Sequence, residues 1–519
     1  MRHRSLKKEV LSADMTIKEL LEGKRYRLIA GDENREVNSV EFNSRKIVSG
    51  SAFVAVKGFT SDGHDYIDMA ADKGASLIVV NDKRDGHDDA SLKELSESHG
   101  VTVISVPDSR QASAYLAASF FSHPEDKLHI TGVTGTKGKT TITFMIHDIL
   151  NRCGKKAGLI GTVCNLVGDE KIHSSHTTPE ARDTYELMSH MVEQGSEELV
   201  MEVSSQGLKL DRVYGMTFDT GCFTNLYEDH IGGNEHPDME DYINCKLKMF
   251  EQTKTAVINK DCSIADRCII KASECGCKIY TYGLSEGCDV RADSLENGIK
   301  DGRAGTFFDL ESPWYQGRFF VAIPGEFNVY NALCSIAAAY LAGADTEDIK
   351  ESLQSIEVPG RLQHVPNDLG ITILVDYAHN AASLENVLDT LKSVAKGRVI
   401  TVFGCGGDRS HTRRFEMGEV SGNKSDYTIV TSDNPRTEDP LVIIGHIVSA
   451  ISKTSGKYET VVDRSEAIYK AIETANPGDI VLIAGKGHED YQIFKDKTIH
   501  FDDSEVAFEA AKNVKEKRS

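Results

Sequence analysis

A glycine-rich segment that contains two lysines and several threonines is the part of the chain whose residue types and spacing most clearly predict chemistry. It reads Thr131-Gly-Val-Thr-Gly-Thr-Lys-Gly-Lys-Thr-Thr141, with a predicted strand before it and a predicted helix after it. In that setting the backbone N–H groups of the turn and the positive end of the helix bind a polyphosphate, Lys139 adds a cation, and the Thr140 hydroxyl can meet Mg²⁺. Val133 replaces the first glycine of the usual pattern, but Gly-Lys-Thr is intact. The segment therefore predicts an ATP or GTP site.

Two further groups of polar residues follow predicted strands downstream of this loop. Glu202 comes directly after Leu199–Met201, and Asp229-His230 follows Phe223–Leu226. In an open parallel sheet, functional groups gather at the carboxyl ends of the strands. Taken singly, Glu202 would be an exposed strand-end carboxylate and His230 an ordinary loop histidine. Two such strand ends behind a phosphate loop instead favour metal binding.

These residues must be positioned by strands that alternate with helices of roughly 10–15 residues, a pattern that predicts βαβ units, parallel sheets and an α/β fold. The longer predicted elements are the strands Ala52–Val56, Leu199–Val203, Asp219–Phe223, Val399–Phe403 and Ile480–Ala484 and the helices Arg110–Phe121, Thr140–Leu150, Val329–Leu341, Ser383–Val394 and Leu441–Ile451. We predict three domains, at residues 1–125, 126–358 and 359–519, with a hinge turn at Val358–Arg361.

Length and composition limit the class of protein. The 519 residues fit three domains of roughly 100–200 residues each, and 40% hydrophobic residues exclude a wholly disordered chain. The formal net charge of −21 argues against general binding to nucleic acid or to an anionic membrane, which needs clustered Lys and Arg. No apolar run approaches the roughly 18–20 residues of a membrane helix, and no apolar segment follows the basic N-terminus. We therefore expect a cytoplasmic protein without a signal peptide.

Eleven cysteines are scattered along the chain, and five of them lie between Cys262 and Cys288. Zinc sites usually show two close Cys pairs, or Cys pairs with His, whereas Cys275-Gly-Cys277 is a single close pair. We therefore favour reduced thiols over a metal knuckle.

Several motifs in one order make the chain similar to the Mur ligase family, the ATP-dependent enzymes that form amide bonds in peptidoglycan precursor synthesis. The motifs are Thr134–Thr141, Met201–Leu208, Phe223–Leu226 with Asp229-His230, Asp241–Lys246, Gly325–Ala332, Gly360-Arg361 and Val375–His379. The resemblance implies an N-terminal domain that binds a UDP-linked substrate, a central P-loop domain on a parallel sheet, and a Rossmann-like C-terminal domain that binds an amino acid.

Asn43-Ser-Arg45, Ala52–Gly58 and Asp62-Gly-His64 most resemble the members that add the third amino acid of the peptide. For them, ATP phosphorylates the glutamate carboxylate of UDP-N-acetylmuramoyl-L-alanyl-D-glutamate, and an amine then attacks the acyl phosphate. Residues implied to hold this substrate are Ser44, Phe59, Thr60, Ser61, Thr177, Thr178, Ser204 and Arg212. Residues implied to bind ATP are Gly135, Thr136, Lys137, Gly138, Lys139, Thr140, Thr141, Asn331, Arg361, Asp376 and His379.

The same resemblance implies a catalytic centre that includes a metal ion. Its catalytic residues are Lys139, Lys246, His230 and Glu202. The implied Mg²⁺ ligands are Thr140, Glu202, His230 and Lys246, the last as a carbamate formed with CO₂. The alternative for Lys246 is a solvated lysine on the predicted helix Met239–Phe250, like its neighbour Lys248.

The C-terminal motif Asp433-Asn-Pro-Arg436 resembles the signature of members that add meso-2,6-diaminopimelate. A guanidinium binds the extra distal carboxylate of diaminopimelate bidentately and repels the ε-ammonium of lysine. The implied diamino-acid site comprises Arg409, Asp433, Asn434, Pro435, Arg436, Gly485 and Glu489. The segment His230–Pro237 instead resembles some lysine-adding relatives, so L-lysine or another diamino acid is the alternative substrate.

Other functions fit the sequence less well. A ligase that adds a dipeptide or builds folate polyglutamate is disfavoured by Asn43-Ser-Arg45 and by Asp433–Arg436. A non-catalytic ATP-binding P-loop module would predict degraded metal-site residues, yet all four are present: Thr140, Glu202, His230 and Lys246. We expect an enzyme that acts as a monomer on small molecules, without nucleic acid or membrane insertion.

Overall fold

The computed structural model describes residues 15–58, 61–229, 231–233, 235–301 and 303–518. The chain packs into two compact units, one of residues 1–282 with 334–344 and one of residues 283–333 with 345–519. Both units combine helices with sheets whose central strands are parallel, so the predicted α/β class is confirmed. The bounds of the three predicted domains remain a prediction.

The smaller sheet of the first unit has the order β2-β7-β6-β5-β4, in which all neighbours are parallel except β2 and β7. Its strands, with the short pair β1 and β3, are β1 (Met15–Thr16), β2 (Arg27–Ala30), β3 (Glu36–Val37), β4 (Ser39–Glu41), β5 (Ser51–Val54), β6 (Leu77–Asn81) and β7 (Thr102–Val106). The helices are α1 (Ile17–Leu20), α2 (Ile67–Asp72), α3 (Asp89–His99) and α4 (Ser109–Phe120). Apolar clusters cover both faces, which is why Leu77–Val80 is an unbroken apolar run rather than an alternating one.

The larger sheet of the first unit has the order β11-β10-β9-β12-β8-β13-β14-β15. Its strands are β8 (His129–Thr134), β9 (Ala157–Ile160), β10 (Asn165–Val167), β11 (Glu170–Ile172), β12 (Glu198–Glu202), β13 (Phe218–Phe223), β14 (Thr253–Asn259) and β15 (Lys278–Gly283). The helices are α5 (Lys139–Arg152), α6 (Ala181–Glu193), α7 (Ser205–Lys209), α8 (Met239–Leu247) and α9 (Ala265–Glu274). Strands β9, β12, β8 and β13 are parallel neighbours, with Glu202 opposite Val133 and Phe223 opposite Thr134. Their carboxyl ends therefore meet at one edge of the sheet, where the phosphate loop begins.

The second unit contains a six-stranded sheet of order β19-β20-β24-β21-β22-β23, parallel except at β19, and an antiparallel meander β16-β17-β18. The strands are β16 (Val290–Lys300), β17 (Arg303–Glu311), β18 (Gln316–Val321), β19 (Gln363–Val365), β20 (Thr372–Asp376), β21 (Val399–Phe403), β22 (Tyr427–Val430), β23 (Tyr458–Thr460), β24 (Ile480–Ala484), β25 (Tyr491–Ile493) and β26 (Thr498–His500). The helices are α11 (Thr346–Ser355), α12 (Ala381–Val394), α13 (Thr412–Lys424), α14 (Pro440–Ile451), α15 (Arg464–Thr474) and α16 (Asp503–Arg518), and α10 (Glu326–Leu341) contributes residues to both units.

The predicted central strands and helices are present, with differences at their ends. Helix α5 begins one residue before the predicted start and ends two residues after the predicted end. The helix predicted over Met239–Phe250 is α-helical only to Leu247 and continues as a 3-10 helix over Lys248–Gln252.

Two expectations on chain type can be compared with the structure. Among the described residues, no helix has both the length and the apolar character that a membrane span requires. All eleven cysteines lie in the described part of the chain, and none of them forms a disulfide there.

Candidate active site

The loop between β8 and α5 presents the N-terminus of a 14-residue helix at the carboxyl edge of the sheet. Gly135 has a φ of +142°, and a Cβ atom there would lie 1.9 Å from Oγ1 of Thr224, so only glycine fits. Gly138, with a φ of +88°, is the N-cap of α5, and the buried Thr140 and Thr141 lie in its first turn. The geometry is that of a helix N-terminus able to receive a polyphosphate.

Asn225 fixes the conformation of this loop, a role that the sequence analysis did not assign. The N–H group of Thr136 donates to the Asn225 carbonyl oxygen over 3.0 Å, and the N–H group of Lys137 donates to its Oδ1 over 2.8 Å. Two of the loop amides are thus engaged by the segment that follows β13. The segment directly follows β13, which is the neighbour of β8 in the sheet, and this position could have predicted the contact.

Lys246 is buried and points at the phosphate loop. Its side chain on α8 is only 1% exposed, and Nζ donates to the carbonyl oxygen of Gly135 over 2.9 Å. Burial, and next the nearby Lys139 ammonium, lower the pKa of Lys246 well below its usual range. Nζ also lies 4.6 Å from the ring centroid of Tyr242. The solvated-lysine alternative is wrong for Lys246, while Lys248 is exposed as expected.

Glu202, the last residue of β12, is 1% exposed and holds two threonines at the edge of the sheet. Its Oε1 accepts from Thr140 Oγ1 over 3.0 Å and from the Thr162 N–H group over 2.8 Å. Its Oε2 accepts from Thr162 Oγ1 over 3.0 Å. The exposed strand-end carboxylate of the alternative interpretation is therefore wrong. Thr162 was missed, although it follows β9 at the same edge of the sheet.

One cavity of about 360 Å³ in the first unit joins the phosphate loop to residues expected to hold the UDP-linked substrate. It is lined by Lys139, Thr162, Ser174, Ser175, His176, Thr177, Thr178, Ser204, Ser205, Gln206, Arg212, Glu235, Tyr242 and Lys246. Lys139 and Lys246 are predicted from the sequence to take part in phosphate and metal chemistry, and Thr177, Ser204 and Arg212 are predicted to bind the acid substrate. The fold brings these two groups together.

Hydrogen bonds within the protein orient the substrate side of this cavity. Arg212 is 8% exposed, and its guanidinium donates to the Thr178 carbonyl oxygen over 2.9 Å and to Oε1 of Glu180 over 2.5 Å. The Thr178 hydroxyl is buried, donating to the Glu202 carbonyl oxygen and accepting from the Ser204 N–H group, each over 2.9 Å. Thr178 thus orients its neighbours through its hydroxyl.

The remaining residues expected to bind the UDP moiety belong to the N-terminal part of the chain. Ser44, 8% exposed, begins a 3-10 helix, and its carbonyl oxygen accepts from Lys73 Nζ over 2.7 Å. The carbonyl oxygen of Ser61 accepts from the Gly58 N–H group over 2.9 Å. Neither serine lines the cavity. Three residues of the expected site, Phe59, Thr60 and His230, lie outside the described part of the chain.

Four residues that their motifs predict to bind ATP belong to the second unit. Asp376 ends β20, and its two carboxylate oxygens accept from the N–H groups of Leu362 and Ala378, each over 2.8 Å. Burial raises the pKa of Asp376 and lowers that of His379. Arg361 lies with its guanidinium 4.8 Å from the Tyr377 ring centroid. Asn331 on α10 is 6% exposed and donates to Oδ1 of Asn328 over 3.0 Å.

The residues expected to bind the diamino acid gather at the carboxyl edge of the six-stranded sheet. Asn434 Nδ2 donates to Oε2 of Glu489 over 2.8 Å, and Lys486 Nζ donates to the same oxygen over 3.2 Å. Gly485 has a φ of +112°, and a Cβ atom there would lie 2.9 Å from Oδ2 of Asp433. Lys486, 0% exposed, was not predicted, although it stands between two glycines of the motif.

Arg436 and Arg409 flank this cluster from two loops. Arg436 has a φ of +52°, and its guanidinium donates to the Gly407 carbonyl oxygen over 2.9 Å. Pro435 is buried, whereas Arg409 is exposed. The Arg436 guanidinium is thus held in place and half-buried beside the cluster, whereas Arg409 is open to solvent.

Three family models match successive parts of the chain. The Mur ligase family catalytic domain matches residues 36–121, the Mur ligase middle domain residues 133–339, and the Mur ligase glutamate ligase domain residues 360–487.

Curated relatives match over nearly their whole length. The UDP-N-acetylmuramoyl-L-alanyl-D-glutamate–2,6-diaminopimelate ligase of Clostridium botulinum is 42% identical over 503 residues, 96% of this chain and 100% of the relative. The ligase of the same name from Clostridium perfringens is 42% identical over 499 residues, 95% and 99% of the two chains.

Solved structures share the fold. A structure of a ligase with this name has a TM-score of 0.71 at 29% identity and covers 96% of this chain and 99% of its own. The MurF ligase of Thermotoga maritima, solved in complex with ADP, has a TM-score of 0.56 at 19% identity and covers 93% and 98% of the two chains. At 19% identity, the similarity to MurF shows only that the fold is shared.

Proposed function

The chain belongs to the Mur ligase family of ATP-dependent ligases, and from that premise we propose that it joins meso-2,6-diaminopimelate to UDP-N-acetylmuramoyl-L-alanyl-D-glutamate. ATP phosphorylates the glutamate carboxylate, the amine attacks the resulting acyl phosphate, and phosphate leaves. A carboxylate oxygen is a poor leaving group and phosphate is a good one, so positioning and charge neutralisation are the main tasks of the protein. We propose the cytoplasm as its location, where a UDP-linked precursor and ATP are both at hand.

The observation that carries this proposal is the cavity that holds both functional groups. Lys139 and Lys246 line it beside Ser204, Thr177 and Arg212. An acid substrate that is oriented by Arg212 and the hydroxyls therefore lies in the same space as a phosphoryl group that is bound at the loop. This juxtaposition is what transfer of a phosphoryl group to a carboxylate requires.

The donor set at the edge of the sheet fits Mg²⁺. Glu202 is a buried carboxylate, and the Thr140 and Thr162 hydroxyls bond to it, so the site offers the hard oxygen ligands that Mg²⁺ prefers. We assign Thr140 and Glu202 to the metal, together with His230 and the carbamate of Lys246. When bound, Mg²⁺ neutralises charge on the transferring phosphoryl group.

Lys246 has the properties that carbamate formation needs. The Nζ atom must be uncharged to attack CO₂, and it loses one proton as the N–C bond forms, so a cation becomes an anion. Burial next to Lys139 supplies an uncharged amine because it lowers the pKa of Lys246. Nζ lies 2.9 Å from the carbonyl oxygen of Gly135 in the phosphate loop, and this proximity supports a role for the resulting anion in binding the metal.

The choice of amino acid rests on the second unit. We propose that Arg436 binds the distal carboxylate of diaminopimelate, supported by Arg409, while Gly485 and Glu489 bind its distal amino acid end beside Asp433, Asn434 and Pro435. The hydrogen bond from the Arg436 guanidinium to the Gly407 carbonyl oxygen supports this role. A guanidinium that is already held in place loses little conformational entropy when it binds a carboxylate. The assignments of Asn331, Arg361, Asp376 and His379 to ATP, and of Ser44 and Ser61 with Phe59 and Thr60 to the UDP moiety, rest on their motifs. So does the proposal that the enzyme acts as a monomer.

The test is a parallel assay of ADP release and product mass with three amino acids. The protein is mixed with ATP, Mg²⁺ and UDP-N-acetylmuramoyl-L-alanyl-D-glutamate, and meso-diaminopimelate, L-lysine or L-ornithine is added. We expect ADP and tripeptide with diaminopimelate and little of either with lysine. A preference for lysine would overturn the assigned amino acid, and bound ATP that is never consumed would overturn the ligase function.

A further inference from the structure

Ser205, His236 and Asp241 form a continuous chain of hydrogen bonds beside the cavity. His236 Nδ1 lies 2.7 Å from Oδ2 of Asp241, and its Nε2 lies 3.0 Å from Oγ of Ser205. Ser205 is the first residue of α7, and Asp241 lies in the first turn of α8, the helix that carries Lys246. His236 is 1% exposed and Ser205 is 5% exposed, yet Ser205 lines the cavity. The mechanism above uses none of these three residues.

The direction of each hydrogen bond follows from the charge on Asp241. Its carboxylate accepts from Lys209 Nζ over 2.8 Å, and the bonds from Lys209 and His236 lower its pKa. A carboxylate only accepts, so a ring that carries one proton has it on Nδ1, and its Nε2 then accepts from the Ser205 hydroxyl. Ser205 therefore has only acceptor lone pairs left for a ligand in the cavity.

Ser204 and Ser205 differ in this respect although they are adjacent. Ser204 Oγ accepts from the Gly207 N–H group over 3.0 Å, which leaves the Ser204 hydroxyl proton able to donate. Ser204 thus suits a carboxylate or phosphate oxygen, whereas Ser205 suits an N–H group. Two neighbouring serines in one cavity are matched to opposite partners of an amide-forming reaction.

We propose that Ser205 accepts the proton that the incoming amino group loses as it attacks the acyl phosphate, an inference that rests on the proposed ligase function. The nitrogen lone pair forms the C–N bond, and the electron pair of the C–O bond leaves with phosphate. The ammonium gives one proton to Ser205 Oγ as the original hydroxyl proton moves to His236 Nε2, and this frees the nitrogen lone pair for the attack. The second proton that the nitrogen loses leaves with the phosphate as hydrogen phosphate. The imidazolium is then stabilised by Asp241, which is 33% exposed and gives the proton a route to solvent. Ser205 is the catalytic residue, and His236 and Asp241 are positioning residues.

The surroundings of His236 favour a proton relay over a metal site. The charged and titratable groups that face it are Asp241, Tyr242, with ring centroids 5.0 Å apart, and Cys245 on α8, together with Lys209 behind Asp241 on α7. Ligand atoms of His236, Asp241 and Cys245 lie within 4.8 Å of one another. Lys209 Nζ and His236 Nδ1 both already bond to Oδ2 of Asp241, so a metal ion at that oxygen would have to displace them.

An assay in which hydroxylamine replaces diaminopimelate as the nucleophile separates proton removal from the amine from substrate binding and acyl-phosphate formation. Hydroxylamine is uncharged at neutral pH, so it attacks an acyl phosphate without a base, whereas the amino group of diaminopimelate is an ammonium. We expect Ser205→Ala to lower tripeptide formation about 100-fold and to change hydroxamate formation less than about two-fold. His236→Gln can keep both hydrogen bonds but cannot take up a proton, and we expect the same split. The matched control is Ser98→Ala, which removes an exposed serine hydroxyl bonded to His99 Nδ1 over 2.9 Å and should change neither rate.

The possible outcomes are distinct. Tripeptide and hydroxamate rates that fall together in both variants would overturn the relay and leave a structural role for the chain of hydrogen bonds. Tripeptide rates that do not fall would overturn it as well. Wild-type protein that gives no hydroxamate with ATP and the UDP-linked dipeptide would contradict the proposed ligase function itself.

Discussion

Lys139 and Lys246 donate to the same acceptor, the carbonyl oxygen of Gly135, each over 2.9 Å. Two lysine side chains from different helices therefore converge on one residue of the phosphate loop. Two ammonium groups at this separation repel each other, and burial adds to that cost for Lys246. The arrangement favours an uncharged Lys246, which is the form that carbamate formation requires.

Lys246→Ala is expected to reduce kcat by at least about 100-fold, because it removes the carbamate that we propose as a metal ligand. A short carboxylic acid added to the variant should restore part of the activity by supplying a carboxylate. Lys248→Ala is the control, since Lys248 is exposed two residues further along the chain. Normal ADP release by the Lys246 variant would refute the assignment.

Thr162→Val should lower kcat about 10-fold while leaving the fold intact, because it removes one hydrogen bond to a buried carboxylate but keeps the branched shape. The bond to Glu202 is the 3.0 Å contact from Thr162 Oγ1, and the 2.9 Å contact between the hydroxyls of Thr162 and Thr177 is lost with it. Thr390→Val, at a helical threonine of the second unit whose hydroxyl bonds to Asn386, is the control. Steady-state rates of Thr162→Val and wild type are compared over a range of Mg²⁺ concentrations. Equal rates would mean that the Thr162 hydroxyl is not needed to position the Glu202 carboxylate.

Arg436→Lys tests the amino-acid pocket. It keeps the positive charge but removes the planar fork, so kcat/KM for diaminopimelate should fall by about 10–100-fold. The rate with L-lysine, measured on the same preparation, is the internal control and should not fall. Equal losses with both amino acids would mean that Arg436 does not recognise the distal carboxylate.

Much of the fold and of the site could be predicted because local residue types carry the signal. Strands buried on both faces, such as Leu77–Val80, are unbroken apolar runs, and Gly135 with Lys139 marks the phosphate loop. Helix α13 was not predicted because it contains Gly418 and Gly422. A Cβ atom at Gly418 would lie 2.6 Å from the Ile447 carbonyl oxygen, so the glycines serve close packing against α14.

Long-range hydrogen bonds could not be predicted from the sequence. Nothing local connects Thr162 with Glu202, or Ser205 with His236, since each pair is separated by more than thirty residues. Only the register of parallel strands and the packing of α7 beside α8 bring them together. Motif spacing identified Glu202 and Lys246, but their partners depend on tertiary structure.

Glu438 gives a prediction for pH dependence in the second unit. Its hydrogen bonds from Arg414, and next from the Asp408 N–H group, lower its pKa from 4.5 to about 2. A carboxyl group whose pKa is depressed in the folded state stabilises the fold above its unfolded pKa and loses that effect as pH falls through the folded value. The stabilisation should thus be complete above about pH 4.5 and decline towards pH 2.

Thermal unfolding of Glu438→Gln and wild type across this range checks the prediction. The difference in Tm should be largest near neutral pH and shrink as the pH approaches 2. Glu416→Gln, at an exposed carboxylate on α13, is the control and should show little difference at any pH. A Tm difference that stays constant down to the most acidic condition would contradict the assigned interaction.

The most direct test of the ligase chemistry follows the oxygen atoms of the acid substrate. The glutamate carboxylate of UDP-N-acetylmuramoyl-L-alanyl-D-glutamate is labelled with ¹⁸O on both oxygens, and the inorganic phosphate released with ATP and diaminopimelate is analysed by mass. Attack of the carboxylate on the γ-phosphoryl group predicts that each phosphate carries one ¹⁸O atom and that the tripeptide amide keeps the other. Tripeptide formed together with unlabelled phosphate would contradict the acyl-phosphate route.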